Sequence, residues 1–488
     1  MRLLAILFVV FGSVAGCSLL YHLDQIGGTD MACSGSSDCA PDMLGHRDSG
    51  ADMRPQCVDS STCPASAPVC ATGVCSACSP SGASTECASY HSGSTPPAPL
   101  CGPAGDCVQC LAASDCAATN QACDLATNTC GACVHNADCS SGACKAGGVC
   151  ASAGEVAYVN NNATANCSDS AHTSTPSAPY CKIADATSAS PILPYVVIAP
   201  SATTYDAVVL NATSTAIGPL SLIGPGHNAA TTAKITPTTG PPISVATSGN
   251  PVTLTVDGLE LIGPGGGTPA AGAKCQVVAS GTPTLTILNS YIHGSGAYGV
   301  DSTSCTLTLD ANIISQNTGG GVSINGGAIA VTNNLIVSNG LSGLGVLFQG
   351  AVTGTWSFNT VAANKRTGTN AAAFNCSLAT SVPPIQASIV WGNDKDGTGS
   401  SVGTGCSFSF TDIDDTTTPA GNNIKQDPML TTGTLPSTGD RIPASSPCLN
   451  FVTAASGLSG ALPKDDVDGN TRPRAMTGGY DCGAAQAQ

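Results

Sequence analysis

The sequence predicts an all-β chain in two unlike parts, a small disulfide-rich, loop-dominated region followed by a solenoid of stacked parallel strands. Three observations carry this. The runs Thr284-Leu285-Thr286-Ile287, Thr306-Leu307-Thr308-Leu309 and Ala328-Ile329-Ala330-Val331 start 22 residues apart, the repeat of one solenoid coil. Of 488 residues 9% are charged and 4% aromatic, against 42% hydrophobic. That excludes a Leu/Phe-rich helical core and exceeds the apolar content of disordered chains. And 18 of the 27 cysteines fall between Cys33 and Cys150.

At the N-terminus, Met1-Arg2 and the apolar run Leu3 to Phe11 are too short for a comfortable membrane span and fit an export signal, residues 1–16. Val14-Ala15-Gly16-Cys17 follows and resembles the bacterial lipobox, with Val14 in place of the usual Leu. The resemblance implies acylation of Cys17 and a membrane partner held through lipid, since two or three acyl chains make a firm anchor. Ser18 resembles the signals that send lipoproteins to the outer membrane. Residues 17–56 are expected to form the anchor and a polar linker. The net charge of −16 repels nucleic acid and anionic headgroups, so no nucleic-acid partner is expected.

Removing Cys17 leaves 26 cysteines, an even number, in an oxidising compartment where bridges persist. Cys33 and Cys39 stand apart. Over residues 57–150 the rest form four groups of four: Cys57, Cys63, Cys70, Cys75; Cys78, Cys87, Cys101, Cys107; Cys110, Cys116, Cys123, Cys130; and Cys133, Cys139, Cys144, Cys150. Each group is expected to close two bridges, which replace a core in modules almost without bulky apolar residues. Asp recurs just before a cysteine, at Asp38, Asp115 and Asp138. Cys75-x-x-Cys78, Cys107-x-x-Cys110 and Cys130-x-x-Cys133 also match zinc-knuckle spacing. Export, parity and few nearby histidines favour bridges over zinc.

From residue 155 to about 440, period-two runs separated by Gly/Asn-rich stretches mark strands. Ile292, Ile314 and Ile336 keep the 22-residue step, as do Gly299, Gly321 and Gly343. Coils at the strand spacing of ~4.8 Å put Leu285, Leu307 and Ile329 in one interior file and Ile287, Leu309 and Val331 in another. Asn317, Asn339 and Asn364 are expected to ladder at a turn.

Three stretches carry a family resemblance over about Tyr158 to Ala485. They are Tyr158-Val159-Asn160 with Pro179 to Ala186 and Tyr195 to Pro200; Ser388 to Asn393 with Asn422-Asn423-Ile424 and Asp427 to Leu430; and Ser446-Pro447-Cys448 with Asp466 to Arg474 and Gly478 to Ala484. They resemble bacterial right-handed parallel β-helix proteins that include polymorphic outer-membrane and choice-of-anchor surface proteins. The resemblance implies an opening strand and short capping helix, a right-handed helix, and a terminal cap over residues 441–488. Eight cysteines lie in this half; Cys167/Cys181 and Cys448/Cys482 suit bridges at the two ends, leaving Cys275/Cys305 and Cys376/Cys406, although connectivity is not readable from sequence.

Chemistry is sparse. No Lys or Arg lies between Cys275 and Asn364, which leaves a polyanion lyase without its cation there. A hydrolase needs two carboxylates at a defined distance; Asp257, Glu260, Asp301 and Asp310 are the central candidates, and turn roles suit Asp301 and Asp310. Further on, Lys365-Arg366, Asp394-Lys395-Asp396 and Asp412 to Asp415 belong either to a ligand groove or to solvated loops. Asp466, Asp468 and Asn470 present oxygens at alternating positions as calcium loops do, without the bidentate Glu of that motif; a hydrogen-bonded turn held by Arg472 or Arg474 is the simpler account. No other cofactor is expected. Thr253-x-Thr255, Thr284-x-Thr286 and Thr306-x-Thr308 resemble ice-binding solenoids, but Ala328-x-Ala330 interrupts the rows and Thr suits any exposed strand, so a flat adhesion face is the reading. The chain is therefore expected to be a non-catalytic, lipid-anchored surface protein that binds glycans or proteins. The alternative is a polysaccharide-degrading lyase or hydrolase using Asp394, Asp396 and Asp412.

Overall fold

The computed structural model describes residues 57–486 except 58, 65–66, 80–85, 88–98, 163, 171–173, 213–216, 265–268, 341–342, 367–371, 396–401, 416–421, 432–438, 454–457, 459–461 and 473–478. The export segment, Cys17, the Cys33/Cys39 pair, the polar linker, Asp396 and Arg474 lie outside the described residues. Among those described, no helix is long and apolar enough to cross a membrane.

All four cysteine groups pair first with third and second with fourth: Cys57–Cys70 and Cys63–Cys75, Cys78–Cys101 and Cys87–Cys107, Cys110–Cys123 and Cys116–Cys130, Cys133–Cys144 and Cys139–Cys150. Each Cys-x-x-Cys junction thus joins two modules instead of forming a bridge, and its sulfurs are committed to disulfides. In each module a short hairpin carries the third and fourth cysteines. Its turn needs a left-handed residue two places before the fourth cysteine, filled by Gly73, Gly105, Asn128 and Gly148, types that adopt positive φ most easily. Their carbonyls accept the N–H of the module's first cysteine at 3.3, 2.9, 3.3 and 2.9 Å. The recurring Asp is a local cap: Asp115 accepts from the N–H of Leu111 and Ala112, and Asp138 from those of Val134 and His135.

The last module is seated on the outside of the first coils, where Ala143 and Ala151 pack on Val156, Tyr158, Tyr195, Val197 and Ile223. The Tyr158 hydroxyl donates to Ser141 O at 3.1 Å, and Asn136 Nδ2 to Asp257 Oδ2 at 2.6 Å.

The rest is a right-handed parallel β-helix. It opens with the strand Val156–Val159 and the helix Ile183–Ser188, whose Ile183, Ala186 and Thr187 are buried. A 14-stranded sheet folds round two faces of the tube and an 8-stranded sheet forms the third. The 22-residue step emerges as register: Leu285 pairs with Leu307 and Leu307 with Ile329. The neighbouring file runs Ala157, Val196, Leu222, Val256, Ile287, Leu309, Val331, Trp356, Ile385, Phe408, all buried.

Turns are closed by two asparagine files. Asn317, Asn339, Asn364 and Asn393 form one: each Oδ1 after the first accepts from the preceding asparagine's N–H and Nδ2, and each Nδ2 also reaches a carbonyl inside the tube, as Asn339 does at Ile314 O. The second, not anticipated, runs through Asn312, Asn334 and Asn359. Buried polar backbone is satisfied one coil at a time. The first file also explains the glycines. A Cβ at Gly299, Gly321 or Gly345 would lie 2.7, 3.2 or 3.0 Å from the Nδ2 of Asn317, Asn339 or Asn364. Gly345, not Gly343, continues that row, because two extra residues enter the coil before Leu344 pairs with Gly320.

The described residues of the C-terminal segment lie along the flank of the tube. Strands Ile313–Ser315 and Leu335–Val337 are buried on both faces, and their outward side chains need cover. Val467, Ala484 and Ala485 cover Tyr291, Ile313, Leu335, Val337 and Ala362; Ile442, Val452 and the Cys448–Cys482 bridge cover Phe358, Ala387 and Ile389. Ala484 N donates to Thr360 Oγ1 at 3.0 Å. The other bridges of this half are Cys167–Cys181, Cys275–Cys305 and Cys376–Cys406.

Candidate functional site

Outside the first asparagine file the turns leave a groove of 530 Å³ parallel to the tube axis, lined by Gln316, Asn317, Thr318, Ser338, Asn339, Gly340, Ala363 and Lys365. Each coil contributes the same two positions. Gln316, Ser338 and Ala363 have φ of 54, 56 and 53°, and the buried asparagine follows each. The left-handed residue reverses the chain while the asparagine locks the reversal from inside, so the groove floor is rigid. Gln316, Thr318, Ser338 and Lys365 are exposed on it.

One coil further on, Lys365 pairs with Asp394 and Arg366 with Lys395 as parallel backbone partners, which places exposed Asp394 beyond the groove's end. Asp412 is elsewhere. It is fully buried on the last strand of the 8-stranded sheet, its Oδ1 accepts from Gln426 N at 3.1 Å, and Cys448 Sγ lies 3.7 Å from Oδ2. Burial, with the nearby charges of Asp414 and Asp427, pushes its carboxyl up to about 7 against the pull of the Gln426 N–H. The three residues of the enzymatic alternative are thus one exposed, one sealed and one outside the described residues.

The central carboxylates are tied down separately. Asp257 accepts from Asn136 and Asn289 amides at 2.6 and 2.9 Å, at the wall of a 770 Å³ cleft beside the last cysteine module; burial raises its carboxyl despite those bonds. Asp310 accepts from Asn333 at 3.1 Å. Asp301 sits in register between Lys274 and Ser323, its carboxyl raised by burial. Glu260 heads a network absent from the sequence reading. Its carboxylate meets Lys234 Nζ at 3.4 Å, His293 Nε2 at 3.0 Å and the Thr232 hydroxyl, while Tyr291 stacks on His293 at 4.2 Å. Burial alone would raise this carboxyl; the bonds from His293 and Thr232 and the charge of Lys234 hold it at about 2. The register of Glu260–Ile262 on Tyr291–His293 makes the cluster, and no local motif announces it.

At the suggested calcium loop, Asp466 accepts from the N–H of Asp468 and Asn470, from Asn470 Nδ2 and from Gln486 N. Asp468 pairs with Arg441 at 2.6 Å. Arg441 thus holds the turn, while Arg472 donates to the carbonyls of Asp481, Gly483 and Ala484. These carboxylate oxygens already have protein donors.

These features define a right-handed parallel β-helix protein with an axial polar groove. The family model described as "Right handed beta helix region" matches residues 270–413, the coils that build that groove. Among solved structures the chain is similar to one titled "Crystal structure of pectate lyase Pel9A", with 15% identity over 68% of this chain and 96% of that chain and a TM-score of 0.29. No curated protein sequence matches.

Proposed function

We propose that this is an exported, outer-membrane lipoprotein, acylated at Cys17, whose β-helix binds glycans in the axial groove. One observation carries the reading: a rigid trough presents an amide, hydroxyls and one ammonium group along successive coils, at Gln316, Thr318, Ser338 and Lys365. Sugars exchange water for such groups, and the coil spacing of ~4.8 Å lets an extended chain meet polar groups from successive coils. The cysteine-rich array, with its last module seated on the first coils, makes a protease-resistant spacer. On a glycan array the protein is expected to bind a defined set of glycans, and Gln316→Ala with Lys365→Ala to lose them. Binding to no glycan, or binding unchanged in that variant, removes the groove from this role.

A second reading, a polysaccharide-degrading enzyme, has Asp394 in its favour, because its backbone pairing to Lys365 sets one carboxylate at the end of the trough. Incubation with a polysaccharide panel separates the two. Reproducible cleavage lost in Asp394→Asn assigns an enzyme, whereas retention without cleavage assigns a binding module.

A further inference from the structure

The outer side of the sheet that carries Leu285, Leu307 and Ile329 has a role the groove does not absorb. Its two solvent-facing rows are Thr253, Thr284, Thr306, Ala328, Thr353 and Thr255, Thr286, Thr308, Ala330, Thr355. The interruption at Ala328 and Ala330 is therefore one coil long: the threonines resume in register at Thr353 and Thr355, which the lengthened coil conceals in the sequence. None of the ten positions is charged, and all are exposed or half-buried.

We propose that this threonine face binds ice. A surface periodic in two directions suits a ligand periodic in two directions. Parallel strands repeat the hydroxyls at ~4.8 Å between coils and about 6.7 Å between alternate residues of one strand. In ice, a hydrogen bond of about 2.8 Å with tetrahedral angles spaces second-neighbour oxygens by about 4.5 Å and repeats the lattice at about 7.4 Å along the hexagonal axis. The two nets differ by about 0.3 Å from coil to coil and by about 0.7 Å along the strand, where only two rows have to match. Threonine suits the task because its branched Cβ holds few rotamers, so hydroxyls and methyls form a preset array, and the methyls of Ala328 and Ala330 leave the plane free of bulk and charge. An extended polymer would match one direction only. The proposal does not depend on the groove.

The test follows the purified protein into a slowly growing ice hemisphere, with recrystallisation inhibition as a second readout. The wild type is expected to be enriched in ice, and Val209→Lys, at an exposed position outside both the groove and the threonine rows, to match it. Thr286→Lys with Thr308→Lys is expected to be excluded like a protein that does not bind ice, at an unchanged circular dichroism melt. Should that variant not fold, Thr308→Tyr, an uncharged strand former that breaks the plane, is expected to be excluded too. Exclusion of the wild type, or enrichment of a folded face variant equal to the wild type, overturns the proposal.

Discussion

In the cysteine-rich array the buried apolar residues are chiefly cysteines, such as Cys78, Cys87 and Cys101 in one module and Cys110, Cys116 and Cys123 in the next. In the solenoid one continuous core runs from Ala157 to Ile413 and contains few cysteines. Both regions are poor in aromatic residues and rich in turns, yet one is closed by covalent links over 11 to 23 residues and the other by repetition. A bridge across such a loop contributes about 3 kcal/mol by restricting the unfolded chain, and acts module by module. A stacked file contributes only when its neighbours are in place, so stability is shared along the tube. The array is thus a string of independently closed units, and the solenoid a single cooperative body that holds faces and grooves in fixed register.

Single substitutions sharpen this contrast. The largest effect is expected at Trp356, fully buried and edge-on to Phe348 and Phe374 at 5.5 Å: Trp356→Ala should cost about 3–5 kcal/mol in chemical denaturation of the solenoid, while the array's bridges stay intact by mass spectrometry. Asn339→Ala should follow at about 2–3 kcal/mol, since it strands the buried Ile314 carbonyl and the Asn317 amide that it now serves. A loss under half a kcal/mol would show that the file does not carry the turns.

The last strand of the 8-stranded sheet, under Cys448 of the flanking segment, gives a smaller, pH-dependent effect. Asp412 keeps its proton when folded because its carboxyl is raised to about 7, above the usual carboxylate value. That contribution is complete below about pH 4 and is lost as the pH rises through 7. Asp412→Asn should therefore stabilise the protein by about 2 kcal/mol at pH 8 and change little at pH 4, read from thermal melts at both pH values. A destabilised variant at pH 8 would mean that the carboxylate is held charged.

What could be read from the sequence follows the same division. The aliphatic files were legible because a fixed step and period-two alternation are local signals. The file through Asn312 and Asn334 keeps the same step but hides among turn residues, where asparagine is common. The flanking position of the described residues after Arg441 depends on contacts with strands far away in the chain; its one sign is that Leu335-Ile336-Val337 is apolar throughout rather than alternating. The groove and the Glu260 cluster exist only once coils are stacked, so neither has a motif.

Hydrogen exchange with and without reductant tests the contrast most directly. After reduction, amides across residues 57–150 should exchange at unfolded rates while Tyr298–Asp310, Gly320–Thr332 and Leu344–Ser357 keep their protection. Loss of protection in both regions together would show that the bridges, not the stacked coils, hold the solenoid.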